Sequence, residues 1–215
     1  MGPKIMAQDK KVVIIDYNMG NVRSVSKAFE LLTDNVIVSN KKENIENATH
    51  LVLPGVGAFR EGIKNLKDLK LIYILEKQVF KKKIPILGIC LGMQLMSKTS
   101  EEFGEHKGLG CIKANVKKFN FDKKKSLKVP HVGWNNITIT KDSPIFKDVK
   151  KDTDFYFVHS YFMDCKNNED IIATCNYGHN FVAAIQKGNI SATQFHPEKS
   201  QRAGLKILEN FLEYA

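Results

Sequence analysis

Cys90 stands where two patterns meet. Before it, Ile86-Leu87-Gly88-Ile89 is an apolar run with the character of a buried strand, and after it Leu91 to Lys98 carries apolar residues at helical spacing. A cysteine on such a turn has its sulfur lifted clear of the sheet. The start of the following helix supplies partial positive charge and free N–H groups that favour a thiolate. Gly88 and Gly92 permit the tight bend and leave room for a substrate against the backbone. The competing reading is a buried structural cysteine. A nucleophile needs a base, and the candidates are His50, His106, His131, His159, His179 and His196. His196 stands out: it follows the apolar run Ile190 to Phe195 and precedes Pro197-Glu198. The proline stops regular structure, and Glu198 is placed to hold one imidazole nitrogen while the other faces the sulfur. That is the logic of a Cys-His-carboxylate triad, in which the base takes the thiol proton and later protonates the leaving group. Spacing alone leaves a satisfied core histidine beside a surface glutamate as the simpler reading.

These residues need a scaffold. Lys11 to Tyr17 reads as a first strand, its core Val12-Val13-Ile14-Ile15 suited to a sheet covered on both faces. A turn at Asn18 to Asn21 leads into an amphipathic helix that runs to about Leu32. Val36 to Ser39 and Thr49 to Leu53 read as strands, Ile63 to Phe80 as helical, and Lys83 to Ile89 as a strand before the Cys90 helix. Between them, Pro54-Gly55-Val56-Gly57-Ala58-Phe59 is a loop whose glycines let N–H groups point outward, as a plain turn or an anion hole. Strand and helix alternate through the first hundred residues, which predicts an α/β fold with a largely parallel sheet. From Cys111 the pattern changes to short strands: Cys111 to Phe119, Asn136 to Thr140, Asp154 to Val158, Ile171 to Tyr177, Phe181 to Gln186 and Ile190 to Phe195. These read as antiparallel additions to the sheet, closed by a helix from about Arg202 to Tyr214. Open α/β sheets bind ligands beyond the carboxyl ends of parallel strands, so Asn18, Gly57 and Cys90 should share one crevice.

Composition excludes several classes. The 215 residues, 43 % hydrophobic and 26 % charged, fit one globular domain, expected over 11–215, preceded by an extension or expression remnant at 1–10. The cysteines Cys90, Cys111, Cys165 and Cys175 form no CxxC pair, so neither a disulfide framework nor a metal site is expected, and a reducing cytoplasm is the simpler setting. No apolar run approaches the ~18 residues of a membrane helix. The net charge of +10 raises nucleic-acid binding, but among 33 basic residues only Arg23, Arg60 and Arg202 are arginines and the lysines lie in scattered clusters. Solvated surface lysine is the better account, with attraction to an acidic partner protein second.

The stretch Gly88-Ile89-Cys90-Leu91-Gly92-Met93-Gln94, paired with Gln194-Phe195-His196-Pro197-Glu198-Lys199-Ser200, resembles the signature of class I, triad-type glutamine amidotransferases. Three further stretches, Ile15 to Asn21, Val129 to Asn135 and Phe155 to Tyr161, are similar to the glutaminase subunits that serve imidazole glycerol phosphate synthase. The resemblance spans about Val12 to the C-terminus. It implies a flavodoxin-like fold: a mixed, mostly parallel central sheet flanked by helices, with added antiparallel strands. It also implies Cys90, His196 and Glu198 as catalytic residues, and oxyanion donors at the N–H groups of Leu91 and Gly57, the latter after a peptide of the Pro54 to Gly57 strand reorients. Gln94, Glu102, Ser160 and Tyr161 would hold the glutamine, and Asn21, Trp134 and Lys199 would face a partner. No cofactor is implied. The partner would be a cyclase subunit, a (β/α)8 barrel of the histidine pathway, forming a heterodimer and receiving ammonia directly. Alternatives are a paralogue feeding a different synthase, such as one for surface amino sugars, a hydrolase of another γ-glutamyl substrate, or a non-catalytic subunit keeping the fold.

Overall fold

The computed structural model describes residues 10–121 and 127–214, the side chain of residue 214 excepted. Positions 1–9 of the expected extension and the cluster Lys123-Lys124-Lys125 lie outside the described residues. The first half of the chain is β1 (Val12–Ile15), α1 (Val22–Glu30), β2 (Val36–Ser39), α2 (Lys42–Glu46), β3 (His50–Leu53), α3 (Phe59–Asp68), α4 (Leu71–Glu76), β4 (Ile86–Ile89) and α5 (Leu91–Leu95). The second is β5 (Thr99–Ser100), β6 (His106–Lys107), β7 (Ala114–Lys118), β8 (His131–Asn136), β9 (Thr138–Ile139), β10 (Asp154–His159), β11 (Tyr161–Cys165), β12 (Ile171–Asn176), β13 (Asn180–Lys187), β14 (Ile190–Thr193) and α6 (Gln201–Tyr214).

A central sheet of order β2-β1-β3-β4-β14-β13-β12-β9 carries the molecule. It is parallel from β2 to β14 and antiparallel from β14 to β9. Side chains alternate across a strand, and the sequence uses both faces. Val13, Ile15, Leu51 and Leu53 pack with Phe59 and Leu66 of α3 and Leu71 and Ile74 of α4. Val12, Ile14, Val52, Leu87 and Ile89 pack with Val25 and Phe29 of α1 and with Leu208 and Phe211 of α6 on the other face.

Three sequence expectations change. Ile190 to Phe195 was expected to join as an antiparallel addition, but β14 runs parallel to β4, with Ile89 beside Thr193. The strands after Cys111 do not all extend one sheet: β11-β7-β5-β6 form a second, and β10-β8 a separate antiparallel ribbon. The single helical stretch Ile63 to Phe80 is broken, because Lys70 adopts a left-handed φ of 55° between α3 and α4, and a π-helical turn follows at Lys77–Lys81. The second hydrophobic cluster, with Phe119, Phe155, Phe157, Phe181 and Phe195, joins the ribbon to the antiparallel edge of the central sheet.

Candidate active site

Adjacent parallel strands bring Cys90 and His196 together. β4 and β14 end side by side, and the Cys90 N–H donates to Thr193 O at 2.8 Å, so the chain leaving each strand enters the same space. Cys90 takes φ 52° and ψ −105°, a conformation rare for a residue with a side chain, and opens α5. The bend packs α5 directly onto β3. A Cβ on Gly92 would lie 1.7 Å from Leu53 O, so no side chain fits there.

Behind the sulfur the groups are buried and hydrogen-bonded. His196 and Glu198 have fully buried side chains, and His196 Nδ1 meets Glu198 Oε1 at 2.8 Å. The same oxygen accepts from Asn21 Nδ2. Asn21, expected from sequence to face a partner, is half-buried, and its amide bonds this carboxylate. Burial opposes an imidazolium at His196, but the charge and hydrogen bond of Cys90, followed by those of Glu198, outweigh it and the pKa is raised to about 10. Burial likewise works against the Glu198 carboxylate, and the His196 and Asn21 bonds hold its pKa below the ordinary value. His196 Nε2 is left without a hydrogen bond of regular geometry. The sulfur lies 3.8 Å from Val158 O and 3.6 Å from Gln194 Nε2.

In front of the sulfur is a cleft of about 260 Å³ lined by Val56, Gly57, Cys90, Leu91, Gln94, Glu102, Pro130, Val158, His159, Ser160 and Tyr161. Every residue that the resemblance assigned to substrate or oxyanion lines it, whereas Asn18 is exposed and does not. The loop from Pro54 to Gly57 is closed in a particular way. Leu91 N–H donates to Gly55 O at 3.3 Å, and Val56 N–H donates to Met19 O at 3.0 Å. Both bonds belong to the one peptide joining Gly55 to Val56. Tyr17 clamps the loop by donating to Pro54 O, and a Cβ on Gly55 would stand 2.2 Å from the Tyr17 hydroxyl oxygen. Glu102 is buried, with Oε2 accepting from Phe59 N–H at 2.6 Å at the start of α3. Burial and the neighbouring Glu102 charge raise the Tyr161 pKa.

Trp134 and Lys199 lie on another face. Trp134 is 45 % exposed and Val132 56 %, both on β8. The Tyr156 ring stands between this face and the triad, 5.8 Å from the Trp134 ring, 5.8 Å beneath Lys199 Nζ and 6.5 Å from the His196 ring. Tyr156 O also accepts the His196 N–H at 2.9 Å.

Sequence reasoning gave Tyr17 and Gln194 no role at the site and weighed His131 and His159 only as candidate bases for Cys90. Tyr17 and Gln194 sit inside the quoted motif stretches, but nothing local marks their targets. His159 is buried, its pKa pushed down to about 3 by burial, and its Nε2 lies 3.1 Å from His131 Nδ1.

A model of the family "Glutamine amidotransferase class-I" matches residues 13–215. The chain is 49 % identical to imidazole glycerol phosphate synthase subunit HisH 1 of Campylobacter jejuni (strain 81-176), over 93 % of this chain and 98 % of that protein. It is 48 % identical to the subunit HisH of Methanocaldococcus jannaschii, over 93 % of this chain and 97 % of that one. A solved glutamine amidotransferase shares the fold, with a TM-score of 0.70 at 18 % identity over 94 % and 97 % of the two chains.

Proposed function

The chain belongs to the class-I glutamine amidotransferases, and from that premise we propose that it is the glutaminase subunit of an imidazole glycerol phosphate synthase, hydrolysing L-glutamine and passing the ammonia to a cyclase partner. One observation carries the reading: a cysteine on a strained strand-to-helix turn faces a buried His196–Glu198 pair at the floor of a cleft.

His196 takes the Cys90 proton, and the thiolate attacks the side-chain amide carbon of glutamine. The tetrahedral oxyanion collapses, His196 protonates the departing nitrogen, and ammonia leaves a γ-glutamyl thioester. Water, deprotonated by His196, then releases glutamate and restores the thiol. Glu198 holds the tautomer and stabilises the imidazolium. Gln94, Ser160, Tyr161 and Glu102 hold the amino-acid end, Glu102 offering the charge that an α-ammonium requires.

An oxyanion needs two donors aimed at one point. Turning the Gly55–Val56 peptide over withdraws its carbonyl from Leu91 N–H and delivers the Val56 N–H to the same place. The second donor is therefore Val56, one residue before the Gly57 expected from sequence, and Gly55 supplies the backbone freedom for the turn. The closed peptide supports a subunit that is slow alone and is switched on when a partner favours the turned state. The face bearing Val132, Trp134 and Lys199 is the docking surface we assign to that cyclase, because it exposes apolar area one residue layer behind the triad. With all four cysteines free, a reducing cytoplasm suits the chain.

The test is glutamate release by the chain alone and with an imidazole glycerol phosphate synthase cyclase subunit plus its ribotide ligand, with Cys90→Ala as control. Ligand-dependent activation that the variant loses supports the proposal. Cys90-dependent hydrolysis indifferent to this cyclase would keep the glutaminase and discard the pathway.

A further inference from the structure

Gln194 is fully buried, lies outside the substrate cleft, and points its amide at the nucleophile, with Nε2 3.6 Å from Cys90 Sγ. The orientation of a glutamine amide has to be argued from its partners. Here they fix it. Tyr161 O is an acceptor only, so the Gln94 atom 2.8 Å from it is the Nε2 donor. That same Nε2 lies 3.2 Å from the near atom of Gln194, which must then be the acceptor Oε1. The remaining Gln194 group facing the sulfur is the N–H. The Tyr161 carbonyl is itself held from behind by His159 Nδ1 at 2.9 Å, and His159 Nε2 is occupied by His131.

The two contacts of the sulfur change differently when it ionises. As a thiol, Cys90 donates towards Val158 O at 3.8 Å. As a thiolate it has no proton to donate, and that carbonyl ceases to help. The Gln194 N–H contact instead becomes charge-assisted and gains strength.

We propose that Gln194 is a further catalytic residue, which donates an N–H to the Cys90 sulfur and stabilises it selectively as the thiolate, its polarity set by the chain Tyr161 carbonyl, Gln94, Gln194. The inference rests on the reading of Cys90 as the glutaminase nucleophile. The other titratable neighbours of the sulfur, His196 behind it and Tyr17 under the loop, are retained in the test variants.

The experiment compares wild type, Gln194→Met and Gln194→Glu as full chains, measuring alkylation of Cys90 by iodoacetamide against pH, with Cys90→Ala as blank, and the kcat and KM of glutamine hydrolysis with the cyclase subunit present. Removing the donor with Met should move the alkylation midpoint to higher pH and lower kcat about 10-fold with KM unchanged. The Glu variant, placing a carboxylate beside the sulfur, should move the midpoint further in the same direction. Folded variants whose midpoint matches wild type overturn the inference, since a packing role would lower the melting temperature and leave the midpoint alone. Should neither variant fold, Gln94→Met, which removes the group holding Gln194 in place, should shift the midpoint upward by less; no shift would overturn the inference. A wild-type Cys90 with no alkylation and no Cys90-dependent hydrolysis would instead remove the functional reading beneath it.

Discussion

On the side of the Cys90 sulfur facing His196, the bond to Glu198 and the bond from Asn21 to the same carboxylate are in place and buried. On the side facing Pro54 to Gly57, the Leu91 N–H is spent on Gly55 O and the Val56 N–H on Met19 O. Under the proposed function, the acid–base half is in place and the oxyanion half is not. The difference teaches where control of such a site is inexpensive. Rebuilding a buried ion pair would cost several kcal/mol, whereas turning one peptide exchanges two backbone hydrogen bonds worth about 0.5–1.5 kcal/mol each. On the proposed function, a partner with a few kcal/mol of differential affinity is enough to shift that equilibrium.

Breaking the finished half should have the largest effect. His196→Asn removes the proton carrier, and glutamate release in the presence of the cyclase should fall about 10⁴-fold or more. Breaking the unfinished half should cost less. Val56→Pro deletes the N–H that the turn delivers, so the stimulated rate should drop about 100- to 1000-fold. A stimulated rate within a factor of three of wild type would return the donor role to Gly57. Loosening the closed state should act in the opposite direction. Tyr17→Phe removes the bond to Pro54 O, and the rate of the chain without its partner should rise about 5-fold, as expected for loss of roughly 1 kcal/mol favouring the closed loop.

The smallest effect concerns the pH dependence of stability. His196 is held protonated above the ordinary imidazole value, so it adds stability that is complete below pH 6.5 and is lost as the pH climbs through about 10. The leading cause raising that value is the Cys90 charge. In Cys90→Ala the loss should therefore begin at lower pH, visible as a melting temperature that declines earlier between pH 7 and 10 than in wild type. Superimposable declines would show that Glu198 alone sets the imidazole.

Much of the parallel half was legible. Val12-Val13-Ile14-Ile15 and Ile86 to Ile89 are apolar on both faces, and a short run of that kind between turn residues has few homes besides a buried parallel strand. The helix expected from about Arg202 to Tyr214 is α6 to within a residue at its start. The antiparallel half was harder to read. β5 and β6 are two residues long and carry no period. β8, with the sequence HVGWNN, buries only His131 fully, and β11 follows β10 after the single residue Ser160, so no turn signal separates those two strands in the sequence. α2 is five residues with one fully buried side chain, Ile45. The short strands exist because neighbouring strands offer them hydrogen bonds, and that is a property of neighbours far along the chain.

For the site, residue types and local turns were determined by sequence alone: a cysteine on a strand-to-helix bend, a histidine stopped by proline with a glutamate two residues on, a loop rich in glycine. Each is a short-range consequence of backbone sterics and side-chain chemistry. Tertiary structure decided the rest. The parallel pairing of β4 with β14 set Cys90 beside His196, the fold turned Asn21 inward onto Glu198, and Met19 and Leu91 together decided which way the Gly55–Val56 peptide faces. Those are choices among partners distant in sequence, made by register and packing, and no local pattern encodes which distant carbonyl a given N–H will find.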